Sequence, residues 1–78
     1  MADIQSPLPG TFYHRPSPEE APYESTGDAV AVGDVIGLVE VMKTFIEVKS
    51  EIAGTFGDYA AGNEAAVTAG QVLATLDD

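Results

Sequence analysis

Ile46-Glu47-Val48-Lys49-Ser50-Glu51-Ile52-Ala53-Gly54-Thr55-Phe56 repeats an earlier stretch, Ala2-Asp3-Ile4-Gln5-Ser6-Pro7-Leu8-Pro9-Gly10-Thr11-Phe12, at an offset of 44 residues counted from Ser6 to Ser50. Ser, Gly, Thr and Phe are identical in the two copies. A second pair follows: Val30-Ala31-Val32-Gly33-Asp34-Val35-Ile36 matches Val67-Thr68-Ala69-Gly70-Gln71-Val72-Leu73, at an offset of 37. The chain is therefore two similar halves, and the first carries 7 extra residues between Phe12 and Val30. Arg15-Pro16-Ser17-Pro18-Glu19-Glu20-Ala21-Pro22-Tyr23 is the obvious insertion. Its prolines limit both sheet pairing and floppiness, which predicts a semi-rigid protruding loop over 15–23.

Strand chemistry dominates outside the insertion. Val35–Val41 and Thr44–Lys49 are rich in β-branched and aromatic residues. Phe45, Glu47 and Lys49 alternate with Ile46 and Val48, the period of a half-buried strand. Only Asn63–Ala69 tolerates helix, and Val67-Thr68 argues against a long one. Two half-units that each leave an apolar face exposed bury those faces against one another. The expected fold is all-β, a flattened barrel or sandwich with a pseudo-twofold repeat, over a single domain 1–78.

Size and charge bound the function. At 78 residues the folded surface should be about 4,500 Å², which leaves room for one small domain and not for a nucleotide-binding domain plus a substrate domain. Thirteen Asp+Glu against three Lys+Arg gives a net charge of −10. Arg15, Lys43 and Lys49 are the only basic side chains besides His14, so there is no positive surface for nucleic acid or an anionic membrane. With no Cys and one His, no Cys/His metal site or disulfide framework is expected. No apolar run approaches a membrane span, and Met1-Ala2-Asp3 starts no signal-peptide pattern. A cytoplasmic location and a monomeric state are the expectations.

Within this frame one turn breaks the turn rules. Between the two strong strands the chain must reverse through Met42 and Lys43. A two-residue hairpin prefers Asn-Gly or Asp-Gly, because its central residues need positive φ. Met-Lys meets neither preference and costs on the order of 1 kcal/mol or more in backbone strain. The repeat makes this hairpin the pseudo-symmetric counterpart of the two chain ends, which puts it at the opposite end of the domain. A rule broken at an exposed tip marks a candidate site, here one of only two lysines at the point of a rigid hairpin. The alternative is an ordinary solvated lysine on a tolerated turn.

Other candidates carry less. Asp34 and Glu40 read as solvated surface carboxylates, and Phe12 and Tyr13 as core or strand residues rather than a binding platform. Positive-φ turns would account for Gly10, Gly54, Gly33 and Gly70 at equivalent repeat positions. His14 with Ser6 or Ser17 could be drawn as a nucleophilic triad, but nothing in the sequence positions it.

Glu40-Val41-Met42-Lys43 resembles the biotin attachment motif Glu-(Ala/Ser)-Met-Lys-Met of biotin carboxyl carrier proteins. The duplicated halves resemble the biotinyl/lipoyl domain, from Ser6 to Leu76. Ser6–Tyr13 is similar to the start of the carrier domain of bacterial acetyl-CoA carboxylase. Pro16-Ser17-Pro18, with the excess residues, is similar to the "thumb" that this carrier type inserts in its first half. Val41 and Thr44 depart from the motif, replacing Ala or Ser and the second Met.

The resemblance implies two four-stranded antiparallel sheets and biotin joined covalently to Lys43, within a motif of Glu40, Val41, Met42 and Thr44. It also implies thumb residues Arg15, Pro16, Ser17, Pro18 and Tyr23 near the cofactor. The implied partners are a biotin protein ligase, a biotin carboxylase and a carboxyltransferase acting on an acyl-CoA, with the chain as a non-catalytic swinging-arm carrier. Two other readings stand beside it, a lipoyl-type carrier on the same fold and a β-sandwich interaction module whose lysine is never modified.

Overall fold

A computed structural model describes residues 2–77. Its eight strands are β1 (Ala2–Gln5), β2 (Gly10–Tyr13), β3 (Ala29–Val30), β4 (Val35–Val41), β5 (Thr44–Lys49), β6 (Gly54–Tyr59), β7 (Ala65–Val67) and β8 (Val72–Asp77). They form two four-stranded antiparallel sheets, ordered β1-β8-β6-β3 and β5-β4-β2-β7. The exposed surface is 4489 Å², as expected for a chain of this length.

The repeat is visible bond by bond. Ala2 pairs with Leu76 as Ile46 pairs with Val39, and Phe12 pairs with Val39 as Phe56 pairs with Leu76. Ile36 and Leu73 occupy equivalent bulges, each skipped in the ladder and each fully buried. An extra residue on one strand re-aims its side chain, here into the core between the sheets. The turns agree as well. The Ser50 carbonyl accepts from Gly33 N–H at 2.8 Å and the Ser6 carbonyl from Gly70 N–H at 2.8 Å. Both buried serine hydroxyls donate to a carbonyl two residues on, at 2.6 Å.

The core is apolar and continuous, with Phe12, Phe56, Ile36, Leu73, Leu76 and Val39 as its largest fully buried side chains. Of the repeated glycines, only Gly33 (φ 93°) and Gly70 (φ 83°) take positive φ. Gly10 and Gly54 instead open strands β2 and β6. At Gly10 a Cβ would run into the Glu40 carbonyl and lie 2.7 Å from Val39 Cγ1, so close approach of β2 to β4 excludes a side chain there, and the turn explanation fails for this pair.

The halves differ where the sequence departs from symmetry. Residue Gly57 forms a bulge in β6 with no counterpart in β2. The extra residue brings Tyr59 to the place equivalent to His14. The two rings stack at a centroid distance of 3.7 Å and 11° between planes. His14 Nε2 lies 2.6 Å from the Ala61 carbonyl oxygen, and the Tyr59 hydroxyl donates to the Ile36 carbonyl at 2.7 Å. Burial pushes the Tyr59 phenol up to about 12. These bonds make His14 a strut of the fold and take it out of any triad.

Candidate functional site

Strands β4 and β5 form the hairpin that carries the tip. Its ladder runs Leu38↔Glu47, Val39↔Ile46, Glu40↔Phe45 and Val41↔Thr44, leaving Met42 and Lys43 as the whole turn. Both have positive φ, 50° at Met42 and 66° at Lys43, the two-residue arrangement that closes a tight hairpin. The closing pair, Val41 and Thr44, is β-branched on both sides and suited to the pleat. Val41 packs against the core from its half-buried position, while Met42 is 93% exposed. Lys43 is exposed with it.

Neither tip residue is a glycine or asparagine, so the turn holds strain that the paired strands impose. Substituting Met42→Asn is expected to relieve part of it, raising stability by about 1 kcal/mol and Tm by about 4–8 °C. Thermal unfolding checks this; an unchanged Tm would show that the turn stores no strain.

The insertion bends over the outer face of the second sheet. Tyr23 N–H donates to the His14 carbonyl at 2.9 Å, and Glu20 N–H to the Ser17 carbonyl at 3.2 Å. One guanidinium nitrogen of Arg15, Nη1, donates to the Glu20 carbonyl at 3.3 Å, while its Nε is buried with no partner among the described residues. Tyr23 is half-buried, its phenol pushed up by burial and by the Glu47 and Glu20 carboxylates.

Between insertion and sheet lies a cleft of about 270 Å³ lined by Tyr13, Arg15, Pro16, Ser17, Pro18, Phe45, Asn63 and Glu64. Phe45 is two residues past Lys43 and 56% exposed, so the cleft opens beside the tip. Glu64, with φ 65°, is the remaining non-glycine residue of positive φ among those described. Backbone strain of this kind concentrates where the surrounding structure holds a site in shape.

The structure thus brings Arg15, Pro16, Ser17 and Pro18 to a cleft near the tip and leaves Tyr23 outside its lining. It adds detail to three assignments. Tyr13, read as a plain strand or core residue, also lines the cleft, with its ring 5.8 Å from Phe45. Glu40 is half-buried and accepts a hydrogen bond from the Tyr13 hydroxyl at 3.0 Å. Asp34 accepts from Ala31 N–H at 2.8 Å and is a turn residue. Phe45, Asn63 and Glu64 were not candidates in the sequence. The exposed phase of Phe45 in its strand was a signal for the first; Asn63 and Glu64 gave none.

The family described as "Biotin-requiring enzyme" matches residues 2–76, almost the whole chain. The chain belongs to the biotin/lipoyl family. Its relatives include a biotin carboxyl carrier protein of acetyl-CoA carboxylase from Porphyra purpurea, 36% identical over 97% of the chain and 48% of that protein. One of the same name from Pseudomonas aeruginosa is 34% identical over 94% of the chain and 47% of that protein. The biotin carboxyl carrier protein of acetyl-CoA carboxylase 1, chloroplastic, of Arabidopsis thaliana is 43% identical over 78% of the chain and 22% of that protein. The chain spans less than half the length of each of these relatives.

Proposed function

We propose that Lys43 carries biotin through an amide bond, and that the chain acts as the non-catalytic carrier of a biotin-dependent carboxylase of the acetyl-CoA type. The observation that carries this reading is a lysine in a two-residue, positive-φ turn, held by strand pairing up to its neighbours at Val41 and Thr44. In the attachment step the unprotonated Lys43 amine attacks the acyl carbon of an activated biotin. A nitrogen–carbon bond forms, the activating group departs with the bonding electrons, and the amine gives up a proton. Met42 and Lys43 stand clear of the body of the domain, so a ligase can reach the amine without opening any sheet pairing.

The cleft fits the head of such a cofactor. Tyr13, Phe45, Pro16 and Pro18 offer apolar walls, while Arg15, Ser17 and Asn63 offer hydrogen-bonding groups. The buried, unpartnered Nε of Arg15 adds a donor in want of an acceptor. Bound biotin supplies a ureido nitrogen that accepts a carboxyl group at one active site and yields it at another. The chain contributes the tether, which keeps the group at high effective concentration for a biotin carboxylase and a carboxyltransferase in turn. Its acidic surface steers encounter with basic patches on those partners.

Expression with a biotin protein ligase and free biotin, followed by intact mass, tests the reading. The expected result is an increase of one biotinyl group. No increase, or a lipoyl group taken up instead from a lipoyl ligase, would overturn it.

The insertion is expected to serve the cofactor more than the fold. Replacing Arg15–Tyr23 by a short turn removes the packing of Tyr23, at a cost of about 1–2 kcal/mol, and changes loop-closure entropy little. Carboxyl transfer should fall by a larger factor than stability. Unfolding of the deletion variant would show the insertion to be core structure.

A further inference from the structure

Opposed residues of an antiparallel pair point to the same face. Thr11 opposes Glu40, Tyr13 opposes Leu38, and Glu40 opposes Phe45 across the next strand. Tyr13, Glu40 and Phe45 therefore share the outer face of the second sheet, one strand each on β2, β4 and β5. The Tyr13 phenol crosses the ladder diagonally to donate to Glu40 Oε1 at 3.0 Å, and the ring lies against Phe45 at 5.8 Å and 55°. Glu40 Oε2 accepts no hydrogen bond among the described residues. The phenol is pushed up first of all by its bond to Glu40, so it remains a protonated donor at neutral pH.

We propose that Tyr13 is a positioning residue for the modification of Lys43, fixing the Glu40 carboxylate so that a docking ligase meets one oriented acceptor oxygen, Oε2, at a set distance down the hairpin from its target. This inference rests on the reading of Lys43 as the biotinylated residue. Glu40 lies one cross-strand pair below the Val41–Thr44 pair that closes the turn, within the footprint of any enzyme that engages the tip. A free glutamate on a strand face samples many rotamers, and a partner that binds it must restrict them. With Oε1 already taken by Tyr13, and Tyr13 itself steadied by Phe45, most of that restriction is in place before docking. During transfer, while the ligase still holds the biotinyl group, the tyrosine touches neither the reacting amine nor the acyl carbon. Its effect belongs to docking and should appear in KM.

Tyr13→Phe removes the hydroxyl and keeps the ring on Phe45. Initial rates of biotin transfer by the ligase, measured with thermal unfolding as a folding control, are expected to show kcat/KM reduced about five- to tenfold, the factor one lost hydrogen bond commands. The loss should lie in KM. Acylation of Lys43 by a small activated biotin ester, read by peptide mapping, should keep its wild-type rate, since no docking surface is involved. Glu40→Gln should show a loss of similar size, and the double variant no further loss than the larger single one. Equal kcat/KM for wild type and Tyr13→Phe would overturn the inference while leaving Lys43 as the target. Additive losses in the double variant would overturn it too, because Tyr13 would then act elsewhere. A wild-type chain that the ligase never loads overturns the underlying reading, and the inference with it.

Discussion

Lys43→Arg is expected to abolish biotin attachment, while Lys49→Arg leaves it at the wild-type level. Arginine keeps the positive charge and the length of the side chain, but its guanidinium, charged at every accessible pH, is not an acyl acceptor. The comparison with Lys49 isolates the turn as the determinant. From its sequence position in a strand, Lys49 looks shielded by sheet pairing, yet its side chain is 58% exposed, with Glu47 at 3.9 Å as a weak ion-pair partner. Access alone therefore cannot separate the two lysines. Backbone geometry does: Lys49 sits at the last rung of β5, opposite Val35, whereas Lys43 occupies a positive-φ corner at the other end of that strand. Intact mass and streptavidin binding on the two variants decide the matter. Biotin found on Lys49 in the Lys43→Arg chain would show that the ligase reads exposure instead of the hairpin.

The repeat made most of this geometry legible beforehand. Two offsets, 44 and 37, suffice to map the β1–β8 ladder onto β5–β4, including the paired bulges at Ile36 and Leu73. A duplicated sequence carries long-range information because each half reports the pairing of the other. Where the halves diverge, that source fails. The bulge at Gly57 and the resulting stack of Tyr59 on His14 have no signature in either offset, since one inserted residue is invisible in a short aligned run. Gly10 is ambiguous in the sequence for a related reason. A glycine needed for close approach to β4 and one needed for positive φ look alike until the neighbouring strand is known. The bond from Tyr13 to Glu40 spans 27 residues and depends on the register of two strands, so only the folded sheet reveals it.

Phe12→Ala is expected to lower stability by about 3–5 kcal/mol, and Tm by about 12–40 °C. Its side chain is fully buried, with His14 at 5.4 Å and Tyr59 at 6.0 Å between ring centroids. For a chain of this size total stability is only about 4–12 kcal/mol, so the variant sits near its unfolding threshold at physiological temperature. The structure predicts a specific partner in the loss. On the adjacent strand Gly37 leaves its Cβ position open because the Phe12 ring fills it: a Cβ there would lie 2.8 Å from both Phe12 Cζ and the Tyr13 carbonyl oxygen. Gly37→Ala in the wild-type background should therefore overpack the core, costing about 1–3 kcal/mol. In the Phe12→Ala background the same change loses its clash with the ring and begins to fill the cavity. The penalty of Gly37→Ala should fall there, but not vanish, since the Tyr13 carbonyl remains in place. Chemical denaturation of the two single variants and the double variant reads this coupling directly. Simple additivity would mean that Gly37 is required by the backbone of β2 and not by the ring. The tip hairpin would then depend on β2 through main-chain approach alone, and its geometry would survive loss of the aromatic core better than the packing suggests.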